Sequence, residues 1–144
     1  MATVFTRIIE GEVPAKFVWH DSLCVAFLNI TPLAAGHTLI VPKREVGHWI
    51  DLDHELSTHL MWVSQNVGRA IQQSFRPQKV GLAIAGLEVP HTHLHVWPIH
   101  GPTSFPINPA EKEPPEPDWG ELDEAAGRLR EAFEELGFQR YVAL

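Results

Sequence analysis

The sequence predicts an α+β domain: an antiparallel sheet of about five strands, one long central helix and a C-terminal helix. Three observations carry this. Short runs rich in β-branched and aromatic residues, bounded by Gly, Pro and Asp turn signals, fall at 17–41 and 80–98. Apolar residues recur at three- and four-residue spacing from Leu56 to Ile71 and again from Leu122 to Leu136. At 144 residues without an internal repeat, the chain has the size of one domain with one core.

Phe5 to Ile9 reads as one or two helical turns, closed by Gly11 and Pro14. A strand begins at Phe17-Val18-Trp19, His20-Asp21-Ser22 turns the chain, and Cys24 to Asn29 returns as the partner strand. A loop from Ile30 to Gly36 leads into the strand His37 to Val41, which stops at Pro42. Strands this close in sequence pair most economically as antiparallel hairpins.

Asp51 or Asp53 can cap a helix whose positions Leu56, Leu60, Val63, Val67, Ala70 and Ile71 form one buried stripe ending before Pro77. His54 and His59 fall off that stripe and read as solvated surface. Val80 to Ala85 is a further strand, and Gly86 permits a bend before the last one. Six prolines between Pro102 and Pro117 then exclude regular structure and favour an extended surface connector over 101–118. Leu122, Ala125, Ala126, Leu129, Ala132, Phe133 and Leu136 mark the final helix, spanning about 119–137, with Gly137 placed to end it. The tail from Phe138 to Leu144 is apolar for a terminus, so it is expected to dock, on its own domain or on a partner subunit.

The last strand carries the chemistry. In Val89-Pro90-His91-Thr92-His93-Leu94-His95-Val96-Trp97-Pro98, histidines recur at every second position. Strand side chains alternate between faces, so His91, His93 and His95 are expected to share one face and Thr92, Leu94 and Val96 the other. Such a row has two uses. One imidazole can attack an electrophile while its second nitrogen is held by a backbone carbonyl and its neighbours donate to an anion. The same rings can instead ligate a divalent metal. Three histidines in register, flanked by aliphatic residues, are hard to read as a chance polar face.

A net charge of −7 argues against a broad nucleic-acid or anionic-membrane surface, though not against local capture of a small anion. One cysteine, Cys24, excludes an intrachain disulfide and a Cys-rich zinc site, and its apolar neighbours read as core. No 18-residue apolar run and no signal-peptide pattern occur, so a cytoplasmic address is the expectation.

The row resembles the hallmark of the histidine triad (HIT) family, His-x-His-x-His followed by small apolar positions. Phe5 to Ala15 resembles that family's N-terminal element, and Ala26 to Pro32 with Gly36 to Lys43 resembles its central hairpin. The resemblance covers roughly 5–100 and implies a single HIT domain over 1–144, a HIT-like fold and a homodimer with nucleotide sites. It also implies hydrolysis or transfer at the α-phosphate of a purine nucleotide conjugate, a dinucleoside polyphosphate or a nucleoside phosphoramidate, through a covalent nucleotidyl-histidine without a cofactor. On that pattern His93 is the nucleophile, His95 donates to a phosphoryl oxygen, His37 sits at the leaving-group side and His91 orients the row. Asn29 matches a ribose-binding position, and Phe5, Ile8 and Phe27 match the apolar lining around the base.

Departures from the pattern narrow the reading. Some members hold a structural zinc, but the matching positions here are Thr3, Thr6 and Glu45, with only His91 kept, so no metal is expected. Where the family often carries an Asn and then Gly-Gln-Ser or Gly-Gln-Thr, this chain has Val80-Gly81 and Gly86-Leu87-Glu88. The Gly86–Glu88 stretch therefore offers backbone but no side-chain donors, and Glu88 repels a phosphate if it points inward. A nucleotide-binding or scaffolding homodimer with incidental catalysis is the alternative, and a metal-dependent enzyme a third reading.

Overall fold

The computed structural model describes residues 2–101 and 116–143. Its elements in chain order are α1 (Val4–Ile9), β1 (Phe17–His20), β2 (Cys24–Leu28), β3 (Thr38–Pro42), α2 (His54–Phe75), β4 (Lys79–Ile84), β5 (Leu94–Ile99) and α3 (Trp119–Glu135), with single 3-10 turns at Trp49–Asp51 and Gln139–Tyr141. The five strands form one antiparallel sheet in the order β1-β2-β3-β5-β4. The expected α+β architecture is therefore the observed one, with strand ends shifted by a residue or so except at the start of β5. Most of the Pro-rich connector and Leu144 lie outside the described residues.

Both faces of the sheet are covered, unequally. On one side Leu56, Leu60, Val63, Val67, Ala70 and Ile71 of α2 and Leu129 and Phe133 of α3 pack on Val18, Ala26, Ile40, Leu94 and Val96. Each such fully buried aliphatic or aromatic side chain contributes about 1.5–3 kcal/mol, so this layer holds the fold together. On the other side a smaller cluster of Phe5, Ile8, Val25, Phe27, Leu39 and Val41 seats α1. Helix boundaries follow local chemistry. Asp53, not Asp51, caps α2 by accepting from the Leu56 N–H. At the end of α3, Gly137 takes φ +93° while the Phe138 N–H donates back to the Phe133 carbonyl. Gly81 has a different reason: a Cβ there would lie 2.7 Å from the Trp97 ring facing it across β4 and β5.

The tail docks on its own domain. Tyr141 stacks on Trp19 with ring centroids 4.7 Å apart, Val142 forms a bridge with Trp19, and the Ala143 N–H reaches the Val18 carbonyl. The β1 edge is thereby partly covered, whereas β4 is an uncovered edge strand in the described chain, with Leu82 exposed on it.

Two expectations need correction. His59 is not free surface: its Nε2 lies 2.7 Å from an Asp21 carboxylate oxygen, and its side chain is 22% exposed. It sits one turn from Trp62 on a helix face that meets the β1–β2 turn, which helical spacing alone does not reveal. Nor does the last strand begin at the histidines. β5 starts at Leu94, and His91 to His93 precede it. Continuing the β3–β5 register would place Pro42 opposite Thr92, and Pro42 has no N–H for the ladder. The segment is instead held by the Val46 carbonyl, which accepts from both the Thr92 N–H and its hydroxyl.

Candidate active site

The row of imidazoles survives the loss of strand pairing. His91 is fully buried, His93 is 7% exposed and His95 lies at the mouth, with the His93 and His95 rings 5.0 Å apart edge to face. Phe5 of α1 supports the row, its ring 5.8 Å from that of His91 and 4.8 Å from that of His93. His37, at the entry to β3, joins them: its Nε2 is 3.0 Å from His95 Nδ1.

The hydrogen bonds assign the neutral tautomers. A carbonyl only accepts, so the 2.8 Å contact between His93 Nδ1 and its neighbour's carbonyl, that of His91, places the proton on Nδ1 and leaves the His93 Nε2 lone pair free. His37 Nδ1 accepts from the Leu33 N–H at 3.1 Å, so His37 carries its proton on Nε2 and donates to His95 Nδ1. His95 then carries its own proton on Nε2. One backbone amide, relayed through a buried ring, thus turns His95 into a donor beside the nucleophilic nitrogen of His93.

Burial keeps these rings uncharged. Desolvation first, then the neighbouring His95, depresses His37 to about 3. Desolvation and His93 depress His95 to about 4. His93 is lowered chiefly by burial, and against this its hydrogen bond to the His91 carbonyl and the Glu88 carboxylate favour the charged form. Between the ordinary value of 6.5 and these lowered values the unfolded chain binds protons that the native one refuses, so stability rises with pH across that window. Thermal denaturation should therefore show a falling Tm as pH drops from 7 toward 4. A Tm constant over that range contradicts the neutral assignment.

The other expected residues are placed as follows. Asn29 follows β2, its N–H on the His37 carbonyl, and its Oδ1 accepts from the backbone and hydroxyl of Thr31. Phe5, Ile8 and Phe27 pack together as a nearly sealed floor beneath the histidines. Gly86 bends the chain at φ +80°, and Leu87 beside it is 96% exposed. Glu88 is exposed, with its charge felt at His93.

The chain matches the HIT domain model over residues 10–101. It belongs to the histidine triad family. Among curated HIT relatives it is 32% identical to the Bacillus subtilis protein Hit over 105 residues, covering 68% of this chain and 71% of that one. It is 33% identical to an uncharacterized HIT-like protein of Mycobacterium tuberculosis over 139 residues, 92% and 94% of the two chains. Among solved structures, a zinc-bound histidine triad family protein from Mycobacterium smegmatis superposes with a TM-score of 0.79 at 27% identity, covering 94% of this chain and 96% of that one. A hypothetical histidine triad nucleotide-binding protein from Sulfolobus tokodaii gives 0.76 at 26% identity, covering 92% and 93%. Membership implies a nucleotide-binding hydrolase or transferase. No helix among the described residues is long and apolar enough to cross a membrane.

The zinc held by some HIT proteins does not fit here. Thr3, Thr6, Glu45 and His91 do converge, but they are already bonded to one another. Thr3 Oγ1 lies 2.7 Å from His91 Nδ1, and a single Glu45 oxygen accepts from the Thr6 hydroxyl and the Thr3 N–H. Two neutral hydroxyls and one carboxylate are also a poor exchange for thiolate and imidazole ligands. Elsewhere, among the described residues, one trio of metal-type side chains lies close together, Asp21, Cys24 and His59. Its Asp21 is already saturated with donors, and burial pushes the Cys24 thiol up. The sequence signal for the Thr3 cluster was a capping threonine before α1, whose link to Glu45 and His91 only the fold reveals.

Proposed function

We propose that this chain is a hydrolase or nucleotidyl transferase acting at the α-phosphate of a purine nucleotide conjugate through a nucleotidyl-His93 intermediate. The observation that carries the reading is the pairing of a free His93 Nε2 lone pair with a donor-state His95 beside it. His93 Nε2 attacks phosphorus, a P–N bond forms as the bond to the leaving group breaks, and the leaving group takes up a proton from solvent, which the attacking water returns in the second step. Water then attacks the same phosphorus, the P–N bond breaks, and the nucleoside monophosphate departs with the imidazole restored. The His95 Nε2–H stabilises charge on the phosphoryl oxygens. His37 acts through His95. Asn29, with Oδ1 committed to Thr31, keeps its amide hydrogens for a ribose hydroxyl.

Intact-protein mass spectrometry of the chain quenched shortly after mixing with an adenosine phosphoramidate or a diadenosine polyphosphate tests the reading. A nucleotidyl increment mapping to His93 supports it. Neither increment nor product with either class leaves the binding or scaffolding homodimer, which the donor-free side chains from Val80 to Pro90 favour.

Glu88 should select between the two substrate classes, because a polyphosphate leaving group brings several negative charges toward it. Glu88→Gln is expected to raise kcat/KM for the polyphosphate by up to about tenfold at low salt and to change that for a phosphoramidate little. Equal changes for both would remove Glu88 from leaving-group selection.

A homodimer forms in this reading across the β4 edge, since the tail occupies the β1 edge and Leu82 stands exposed on β4. Light scattering should give twice the 16.2 kDa chain mass, and Leu82→Asp should shift it toward one.

A further inference from the structure

The structure assigns Thr3 and Glu45 a joint role as positioning residues for the histidine row: a hydrogen-bonded clamp that locks the ring of His91 and, through its backbone, the ring of His93. The proposal rests on contacts of this chain and on the misfit of a metal at these positions. The path is continuous. Exposed Glu45 accepts from the Thr3 N–H at 2.9 Å and from the Thr6 hydroxyl. Those two bonds hold the start of α1, where Thr3 also caps the helix by accepting from the Thr6 N–H at 3.1 Å. Its single hydroxyl proton faces two acceptors, Thr6 Oγ1 at 3.4 Å and His91 Nδ1 at 2.7 Å, and the far shorter contact is the one to His91.

His91 leaves no choice about direction. Its Nε2 lies 2.7 Å from the Pro42 carbonyl, which only accepts, so the neutral ring is protonated there and its Nδ1 must accept. Thr3 Oγ1, 2.7 Å from Nδ1, is the donor. The fully buried His91 ring is thus pinned at both nitrogens, from β3 on one side and α1 on the other. Its own carbonyl receives the His93 Nδ1–H, the bond that fixes which His93 nitrogen keeps its lone pair. Phe5, two residues after Thr3 on the same helix, packs on both rings, so any tilt of α1 reaches the nucleophile twice.

Glu45 reinforces the clamp electrostatically. Hydrogen bonds from Thr6 and then Thr3 hold its carboxyl below the usual carboxylate range, so it stays an acceptor at neutral pH. A structural helix cap alone would not need Thr3 to face a buried imidazole. The clamp makes a distinct demand: a hydroxyl at position 3, not merely a cap.

The test combines a tautomer readout with kinetics. In ¹⁵N-histidine spectra of the full chain, His91 should show one protonated Nε2 and a hydrogen-bonded, unprotonated Nδ1. Thr3→Val should blur that assignment and lower kcat about tenfold, the worth of one buried hydrogen bond, with nucleotide KM unchanged. Thr3→Ser, which keeps cap and hydroxyl, should restore both. Glu45→Ala, at a solvent-exposed position that should not threaten folding, is expected to move the His91 signals in the same direction with a smaller loss in kcat. His91 signals and kcat unmoved by Thr3→Val and Glu45→Ala overturn the clamp, as does a loss confined to Tm. The spectra need no turnover, so they judge the clamp even where the catalytic reading fails.

Discussion

His93→Ala should lower nucleotidyl transfer by about four orders of magnitude or more while leaving the fold and nucleotide affinity near those of the parent. The size follows from its place in the chemistry. The His93 Nε2 lone pair is the one the hydrogen bonds leave unclaimed, since Nδ1 is spent on the His91 carbonyl and His95 is committed as a donor by His37. Neither neighbour can substitute. His37 is buried with both nitrogens occupied, and His91 is fully buried between Thr3 and Pro42. The fold should survive because the lost ring contacts Phe5 and His95, both outside the larger core beneath α2 and α3. Steady-state rates, a quenched mass spectrum and a nucleotide titration read the three quantities separately. Turnover within tenfold of the parent would shift the reaction to water or another group. Loss of affinity in parallel with rate would make His93 a binding residue.

Much of this site is legible in the chain because its signals are local. Period-two histidines and the two helical stripes predict the row and the layer that backs it, and Leu56 to Ile71 is buried as that spacing requires. The exception inside the motif has a backbone cause: Pro42 ends the β3 ladder before His93, so the first two histidines are ordered by Val46, Pro42 and Thr3 rather than by a strand partner. What the sequence hides is contact between distant positions. Leu33 sets the tautomer of His37 with a backbone N–H that has no residue signature. Thr3, Thr6 and Glu45 read as departures from a metal site until the fold joins them. His59 reads as surface because helical spacing reports which face meets the core, not which polar loop lies against its flank.

That loop carries the largest expected effect on stability. Asp21→Ala should cost about 3 kcal/mol and lower Tm by roughly 10 °C. The Asp21 side chain is 6% exposed and serves donors from three directions. One oxygen accepts from the Leu23 and Cys24 N–H groups at 2.8 and 2.9 Å and shapes the β1–β2 turn. The other accepts from Trp19 Nε1 at 2.8 Å and pairs with His59 Nε2 at 2.7 Å. Truncation leaves a buried indole N–H and two turn amides without acceptors, and it loosens Trp19, against which Tyr141, Phe133 and Phe138 pack. Burial alone would raise the Asp21 carboxyl, but the bonds from Trp19, Leu23, Cys24 and His59 outweigh it and hold the group below its ordinary value. A carboxyl lowered in the native state contributes stability above the unfolded value near 3.8 that is lost as pH falls through the lower native one. The parent should therefore lose more stability than the variant on acidification below pH 4. Asp21→Asn, which keeps an acceptor for the turn amides but turns an NH2 toward Trp19 and His59, should fall between the two. A thermal melt of Asp21→Ala within about 2 °C of the parent would mean that the turn and the tail hold Trp19 without the carboxylate.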